Sequence, residues 1–219
     1  MSATQAQRSS APKLILASSS PRRREILQAA GIAFEVCAAD VAEARKPGES
    51  PEEFVCRVAT DKAVAALHRI AHPSDAPILG ADTVVVIGTR TLGKPDSPDD
   101  ARAMLRLLSG KQHRVLTGLC LLSPPAVWPC PLSALRKDVQ VASTTVRFAE
   151  LTDDEIDQYL DSGEPFDKAG AYGIQGLASK FIGSIDGCYF NVVGLPVSLV
   201  YQMLKRYRDS APADAARNP

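Results

Sequence analysis

Short apolar runs alternate along the chain with longer stretches in which apolar residues recur every three or four positions. The short runs, many of them β-branched, predict buried strands, and the longer stretches predict amphipathic helices. Strands are expected over residues 14–16, 33–37, 78–87, 90–92, 112–122 and 138–148, with a further hairpin over 181–193 that turns at Asp186-Gly187.

Capping signals mark where the helices begin. Ser50 and Thr152 are each followed three residues later by a glutamate, which is the capping-box pattern, and Ser97 precedes a proline that suits a first helical position. Helices are expected over 22–30, from Ser50 to about residue 70, from Ser97 to Gly110, from Thr152 to Gly163, and over 196–207. This order of elements predicts an α/β or α+β fold, in which a mixed sheet carries helices on its faces.

The chain of 219 residues reads as one domain over residues 12–207. Residues 1–11 and 208–219 are polar and rich in Ala and Pro, so we expect flexible tails there. Residues 123–137 contain four prolines, which excludes a central strand and predicts a long surface connection within a hairpin. Trp128 in this connection has two interpretations, a local packing anchor or a stacking platform.

Composition restricts the function classes. The 25 basic and 25 acidic residues balance, so no global field favours nucleic acid or a membrane surface. The five cysteines are scattered without a CxxC pair, which argues against a disulfide framework and a zinc site. The sequence has no apolar run of about 20 residues and no apolar core near its start, so we expect a cytoplasmic protein.

The segment Leu14 to Leu27 joins a buried strand, a serine-rich turn and a helix with Ser20 as its expected N-cap. Such a turn leaves backbone N–H groups free to meet an anion. Arg22, Arg23 and Arg24 lie in the first helical turn, where the helix dipole disfavours each positive charge by roughly 0.3–1 kcal/mol. An anionic ligand would account for this cost, and a solvated basic turn is the alternative.

Two charges stand at positions where apolar residues are expected. Lys62 lies within the apolar face of the second helix, so its ammonium either reaches past that face to solvent or meets a negative partner. Asp82 interrupts an apolar strand and needs a cation, a metal or several N–H donors around it. Asp82 is therefore either a functional carboxylate or a buried structural one.

A glycine-rich loop follows the fourth helix. Residues 167–176, DKAGAYGIQG, contain three glycines and two alanines, so the backbone can approach a ligand closely. Gln175 offers both a donor and an acceptor, which suits the edge of a nucleobase. Together with the serine-rich turn and the misplaced charges, this loop indicates a site for a nucleotide phosphate and its base.

Six blocks of this sequence resemble the Maf family in content and order. They are ASSSPRR (17–23), GADTVV (80–85), LGKP (92–95), SGKQHRVLTG (109–118), DKAGAYGIQG (167–176) and NVVGLP (191–196). The resemblance implies a nucleoside triphosphate pyrophosphatase, and DKAGAYGIQG is similar to the branch that acts on dTTP and UTP. It also implies a fold like that of the inosine triphosphate pyrophosphatases, an elongated mixed sheet whose two lobes flank a central cleft.

The resemblance also assigns roles to individual residues. It implies Asp82 as the catalytic proton acceptor, Glu43 and Asp82 as ligands of a divalent Mg²⁺ or Mn²⁺, and as substrate-binding residues Ser18, Arg22, Arg23, Lys62, Thr83, Lys94 and Gln175. The expected partner is a small-molecule nucleotide, without nucleic acid or membrane, and a homodimer is left open. The competing hypothesis is a non-catalytic nucleotide sensor that regulates cell division.

Overall fold

Seven strands form one mixed sheet in the computed structural model, which describes residues 14–70, 76–124 and 130–210. Their order is β2-β1-β3-β5-β6-β7, with β4 paired to β3. The strands are β1 (Leu14–Leu16), β2 (Phe34–Val36), β3 (Ile78–Ile87), β4 (Arg90–Leu92), β5 (Gln112–Leu122), β6 (Lys137–Phe148) and β7 (Ile182–Asp186). Strands β2, β1 and β3 run parallel, and the remaining pairs are antiparallel. The predicted mixed sheet is confirmed.

Five of the six described helices lie where the sequence predicts them, and three of these begin at the predicted caps. The six helices are α1 (Pro21–Ala29), α2 (Pro51–Arg69), α3 (Pro98–Leu108), α4 (Asp153–Asp161), α5 (Tyr189–Val193) and α6 (Val197–Asp209). The side chains of Ser50, Ser97 and Thr152 each accept the expected backbone N–H bond, and both capping boxes are complete. Of the described helices, none is long and apolar enough to cross a bilayer.

Helix α2 lies directly on the backbone of β3 and β5. A Cβ atom added at Gly80 would lie 1.9 Å from the carbonyl oxygen of Ala59, and one at Gly118 would lie 2.3 Å from that of Val55. Any larger residue at either position would push α2 off the sheet, since such contacts are far inside van der Waals distance. The two glycines therefore set the closeness with which α2 meets the sheet.

Of the four hydrophobic clusters among the described residues, two include the buried face of α2, and the other two lie at different ends of the sheet. At one end, α1 and α6 pack on β1, β3 and β5 through leucines such as Leu14, Leu27 and Leu119. At the other end, α3, α4 and the turns after α4 enclose Phe148 and Tyr159. A cleft lined by residues of both cores lies between them, as the expected two-lobed arrangement requires.

The prediction of a second strand in the hairpin over 181–193 is wrong. Strand β7 ends at Asp186, and the chain then forms the short helix α5. The buried amide of Asn191 in α5 donates to the carbonyl oxygen of Val115 at 2.9 Å and to the hydroxyl of Thr144 at 3.0 Å. These bonds to β5 and β6 select a helix where the apolar residues alone favour a strand.

The predicted ends of the chain are tested only in part. Helix α6 continues to Asp209, two residues into the expected C-terminal tail. The expected N-terminal tail, Trp128 and the rest of the C-terminal tail lie outside the described residues.

Candidate active site

The cleft opens where β3 loses its neighbouring strand. Strand β1 pairs with β3 through residues 78 and 79, and β4 pairs with it through residues 85–87. Among the described residues, no strand flanks positions 80–84 on that side, so Asp82 and Thr83 border a cavity of about 670 Å³. All the residues expected in the site line it, namely Ser18, Arg22, Arg23, Glu43, Lys62, Asp82, Thr83, Lys94 and Gln175.

Lys62 stands between two carboxylates. Its Nζ atom lies 2.7 Å from Oε1 of Glu43 and 2.8 Å from Oδ1 of Asp82. The Lys62 and Asp82 side chains are 12% and 8% exposed, whereas Glu43, on the loop before α2, is 49% exposed. Of the two arrangements open to Lys62, the structure therefore has the one with negative partners, and its ammonium faces the cleft.

The two carboxylates differ in proton affinity. Burial raises the pKa of Asp82 above its ordinary value, although Lys62 and Arg23 oppose the change. For Glu43, partial burial acts in the same direction, but the hydrogen bond and charge of Lys62 outweigh it and lower the pKa. Asp82 is thus the carboxylate with the greater tendency to take up a proton.

Arg23 is buried and holds the framework of the site together. Its Nε donates to the carbonyl oxygen of Gly194 at 2.9 Å, and its two terminal nitrogens reach Ser18, Ala81 and Thr83 at 2.9 to 3.1 Å. Four of the five guanidinium N–H donors are therefore used within the protein. A phosphate contact of Arg23 stays a prediction, and its contacts in this structure join α1, β3 and the α5–α6 connection.

Arg22 and Lys94 carry the more accessible positive charges. Arg22 donates to the Oδ2 and carbonyl oxygens of Asp167 at 2.8 and 3.2 Å, across the cleft from α1. Lys94 is exposed and makes no hydrogen bond to the described residues. Lys94 can thus meet an anion directly, whereas Arg22 has to exchange or share its bond to Asp167.

The loop that carries Gln175 has little regular structure. Three short 3₁₀ turns, Glu164–Asp167, Ala169–Ala171 and Leu177–Phe181, surround it. Gly170 has a φ of +69° and donates its N–H to the carbonyl oxygen of Gly93 at 2.9 Å, next to Lys94. A Cβ atom there would lie 2.7 Å from Val85, so the loop presses closely on β3. Gln175 itself is exposed at the cleft.

Sequence reasoning missed four residues of this wall. Glu164, Asp167, Lys168 and Tyr172 also line the cleft. Three of them lie within the block DKAGAYGIQG and were given no role of their own. Glu164 directly follows Gly163, the residue with which α4 was predicted to end. A charged residue just after a helix end was the available signal in the sequence, and the structure shows that this residue is half-buried.

The donor set suits a divalent cation of the Mg²⁺ type. Such ions are held by one or two carboxylates together with substrate phosphates, rather than by a cage of protein ligands. Glu43 and Asp82 supply two carboxylates at the cleft. Among the described residues there is no group of three or more His, Cys, Asp or Glu side chains arranged for a metal.

Comparison with known proteins places the chain in a family. The family model described as Maf-like protein matches residues 13–207, nearly the whole sequence. The chain belongs to the Maf family. All six blocks that carry the resemblance lie within the matched range.

Relatives of this Maf family member cover almost its full length. It is 46% identical over 193 residues to the dTTP/UTP pyrophosphatase of Koribacter versatilis (strain Ellin345), covering 88% of this chain and 93% of that protein. It is 47% identical over 196 residues to the dTTP/UTP pyrophosphatase of Anaeromyxobacter dehalogenans (strain 2CP-1 / ATCC BAA-258), covering 90% of this chain and 94% of the other. Among solved structures, the Staphylococcus aureus Ham1 protein matches 89% of this chain and 99% of its own, with 14% identity and a TM-score of 0.48.

Proposed function

We propose that this protein hydrolyses dTTP and UTP to the nucleoside monophosphate and pyrophosphate. The observation that carries the proposal is the Glu43–Lys62–Asp82 cluster, two carboxylates around one ammonium at the floor of a nucleotide-sized cleft. The relatives named dTTP/UTP pyrophosphatase support both the reaction and the preferred bases.

Asp82 acts as the general base. A water molecule attacks the α-phosphorus, the bond from that phosphorus to the oxygen bridging to the β-phosphorus breaks, and pyrophosphate leaves. Asp82 accepts the proton of the attacking water, for which its raised pKa is favourable because a stronger base takes a proton more readily. Lys62 holds the Asp82 carboxylate in place and keeps a positive charge close to the phosphates.

The cations at the cleft neutralise the triphosphate. Lys94, Arg22 and Lys62 all line the cleft and supply three positive charges to it. A divalent cation held by Glu43 and Asp82 would add charge neutralisation at the phosphate oxygens. The serine-rich turn before α1 offers backbone N–H groups at a helix N-terminus, which suit the same anion.

Gln175 and Thr83 act on the base. Gln175 is exposed to the cleft and can donate and accept at once, as the edge of uracil or thymine requires. The hydroxyl of Thr83 accepts a bond from Arg23 at 3.1 Å and lies 2.9 Å from the hydroxyl of Thr117, so Thr83 is held firmly in position.

The test is pyrophosphate release from a panel of triphosphates with Mg²⁺ or Mn²⁺. We expect dTTP and UTP to be hydrolysed well ahead of GTP and 7-methyl-GTP, with no release when the metal is chelated. Binding of dTTP without any turnover would favour the alternative, a nucleotide sensor that regulates cell division. Equal rates on purine and pyrimidine triphosphates would contradict the proposed substrate class.

The cytoplasmic location and the homodimer stay predictions, as does the absence of a nucleic-acid partner. Cell fractionation and the molar mass of the protein in solution would test the first two.

A further inference from the structure

Glu164 joins α4 to the loop that carries Gln175. Its Oε1 accepts the hydroxyl of Tyr159 in α4 at 2.9 Å, and its Oε2 accepts the backbone N–H of Leu177 at 2.8 Å. Leu177 is two residues beyond Gln175. The two oxygens of one carboxylate thus tie a regular helix to the backbone beside Gln175.

The carboxylate of Glu164 also fills the space beside this backbone. A Cβ atom added at Gly176 would lie 2.2 Å from Oε1 of Glu164, and one added at Gly173 would lie 3.6 Å from the same oxygen. Residues 173 and 176 flank Gln175, so the carboxylate meets the loop on both sides of it. The missing side chain of Gly176 leaves the room that Glu164 occupies, whereas the space beside Gly173 is filled mainly by Cε of Lys168, 2.6 Å from where a Cβ atom would lie.

The anchor of Glu164 on α4 is rigid. Tyr159 is 2% exposed and its ring meets that of Phe181 edge-on, with centroids 5.6 Å apart. Burial and the neighbouring Glu164 raise the pKa of Tyr159, so its hydroxyl stays protonated and remains a donor. The backbone carbonyl of Glu164 accepts a further bond from Nζ of Lys168 at 2.6 Å, which closes the turn on itself.

Base selection needs such a support. Uracil presents carbonyl acceptors and an N–H donor on its pairing edge, and a glutamine amide can pair with both kinds of group. A purine is larger, so its edge lies at a different distance from the same backbone, and the amide discriminates by size only when that backbone is held in place. Gln175 is exposed, and no described residue makes a hydrogen bond to its side chain. Its position therefore depends on the backbone that Glu164 holds.

We propose that Glu164 is a positioning residue for base selection, holding the 173–177 backbone so that Gln175 favours the uracil base over a purine. This inference rests on the proposed function for its substrate class, and the hydrogen bonds of the Glu164 carboxylate go to Tyr159 and Leu177, not to the catalytic cluster. Its effect is expected on selectivity rather than on the rate with the preferred substrate.

The experiment measures the dissociation constants of the non-hydrolysable α,β-imido analogues of UTP and GTP by calorimetry, with Mg²⁺. Glu164→Met keeps nearly the length of the side chain but loses both acceptor oxygens, so the UTP-over-GTP ratio should fall about tenfold, since small misplacements of a recognition group cost one to two orders of magnitude. Glu150→Met, at an exposed glutamate without a hydrogen bond to the described residues, is the matched control and should leave the ratio unchanged.

Two further variants separate positioning from other roles. Glu164→Asp keeps the charge but is one methylene too short to bridge Tyr159 and Leu177, so it should fail to restore the ratio. Gly176→Ala adds a methyl group that would lie 2.2 Å from Oε1 of the carboxylate, and it should lower the ratio in the same direction. Gly183→Ala in β7, whose Cβ would meet only the carbonyl oxygen of Arg147 at 3.8 Å, is its control.

A double-mutant cycle identifies the residue through which Glu164 acts. In a Gln175→Ala background, Glu164→Met should change the ratio by less than about twofold, because the group that Glu164 positions is gone. An unchanged ratio in Glu164→Met, even with a lower melting temperature, overturns the inference, as do a wild-type ratio in Glu164→Asp and additivity with Gln175→Ala. These outcomes use binding alone, so a loss of turnover in the unmodified protein would contradict the proposed function and leave this test intact.

Discussion

On one wall of the cleft, Asp82 and Lys62 stand on a ten-residue strand and a nineteen-residue helix that touch backbone to backbone. On the facing wall, Gln175 stands on a loop between 3₁₀ turns, and the backbone of that loop is held by side chains such as Glu164 and Lys168. The backbone hydrogen bonds of the sheet and of the helix hold the first wall in place, whereas single side-chain contacts hold the second.

The difference separates two tasks. Proton transfer needs groups held within a fraction of an ångström, which regular elements supply. Base selection needs a surface that can be varied without disturbing the chemistry, which loops on a rigid scaffold supply. Changes on the first wall should therefore alter rates, and changes on the second should alter selectivity.

The largest effect is expected from Asp82→Asn. The amide keeps the shape of the carboxylate but cannot accept a proton, so kcat should fall by about 10²–10⁴-fold while nucleotide affinity survives. Steady-state pyrophosphate release and thermal melting on the same preparation measure the two sides of the prediction, with the exposed Asp186→Asn as control. If Asp82→Asn instead lost roughly 1–3 kcal/mol of stability and turned over normally, Asp82 would be structural and Glu43 would become the next candidate for the base.

Lys62→Met tests how the first wall sets the pKa of Asp82. Without the ammonium, Asp82 keeps its burial and loses its nearest cation, so its pKa should rise further. A general base works only when ionised, so the acid limb of the kcat/KM profile should move toward higher pH. Lys205→Met on α6 is the control. An acid limb at the same pH in Lys62→Met and in Lys205→Met would show that Lys62 does not affect the ionisation of Asp82.

Gln175→Ala tests the second wall. We expect the preference for dTTP and UTP over GTP to fall about tenfold or more, and the rate with the best substrate to fall less, because discrimination by a hydrogen-bonding group is lost with that group. Competing substrates in one reaction, followed by product chromatography, give the ratio directly. A variant that slowed on every substrate alike would place Gln175 with the catalytic wall.

Asp167→Asn should have the smallest effect. Partial burial raises the pKa of Asp167, but the hydrogen bonds from Lys168 and Arg22 outweigh this effect and lower the pKa to about 2. A depressed pKa stabilises the fold above the ordinary value near 3.9, and that contribution disappears as the pH falls toward about 2. The side chain is 61% exposed, so solvent screening reduces its value to less than about 1 kcal/mol at pH 7.

Urea unfolding of wild type and Asp167→Asn at pH 7 and pH 3 measures this contribution. The difference between the two proteins should be smaller at pH 3. A loss above about 2 kcal/mol at pH 7 would show that the second wall is held as firmly as the first, and the contrast between them would fail.

Local signals were sufficient for most of the elements. The bounds of β3, β4 and β5 follow from their apolar runs, and the three capping serines and threonines begin their helices as predicted. These signals act over two to four residues, so the sequence contains both partners of each contact within one short stretch. The misplaced charges at Lys62 and Asp82 were also visible, because each breaks the pattern of its own element.

Tertiary structure decided how those charges are used. Lys62 meets a carboxylate 20 residues away, and Arg22 meets one 145 residues away. Arg23 reaches a carbonyl 171 residues away and so joins the framework. Helix α5 forms where a strand was predicted because Asn191 makes hydrogen bonds to β5 and β6. Glu164 is held in position by its hydrogen bonds from Tyr159 and Leu177. A pattern along the chain indicates that a buried charge needs a partner, but only the packing of distant elements determines which partner it meets.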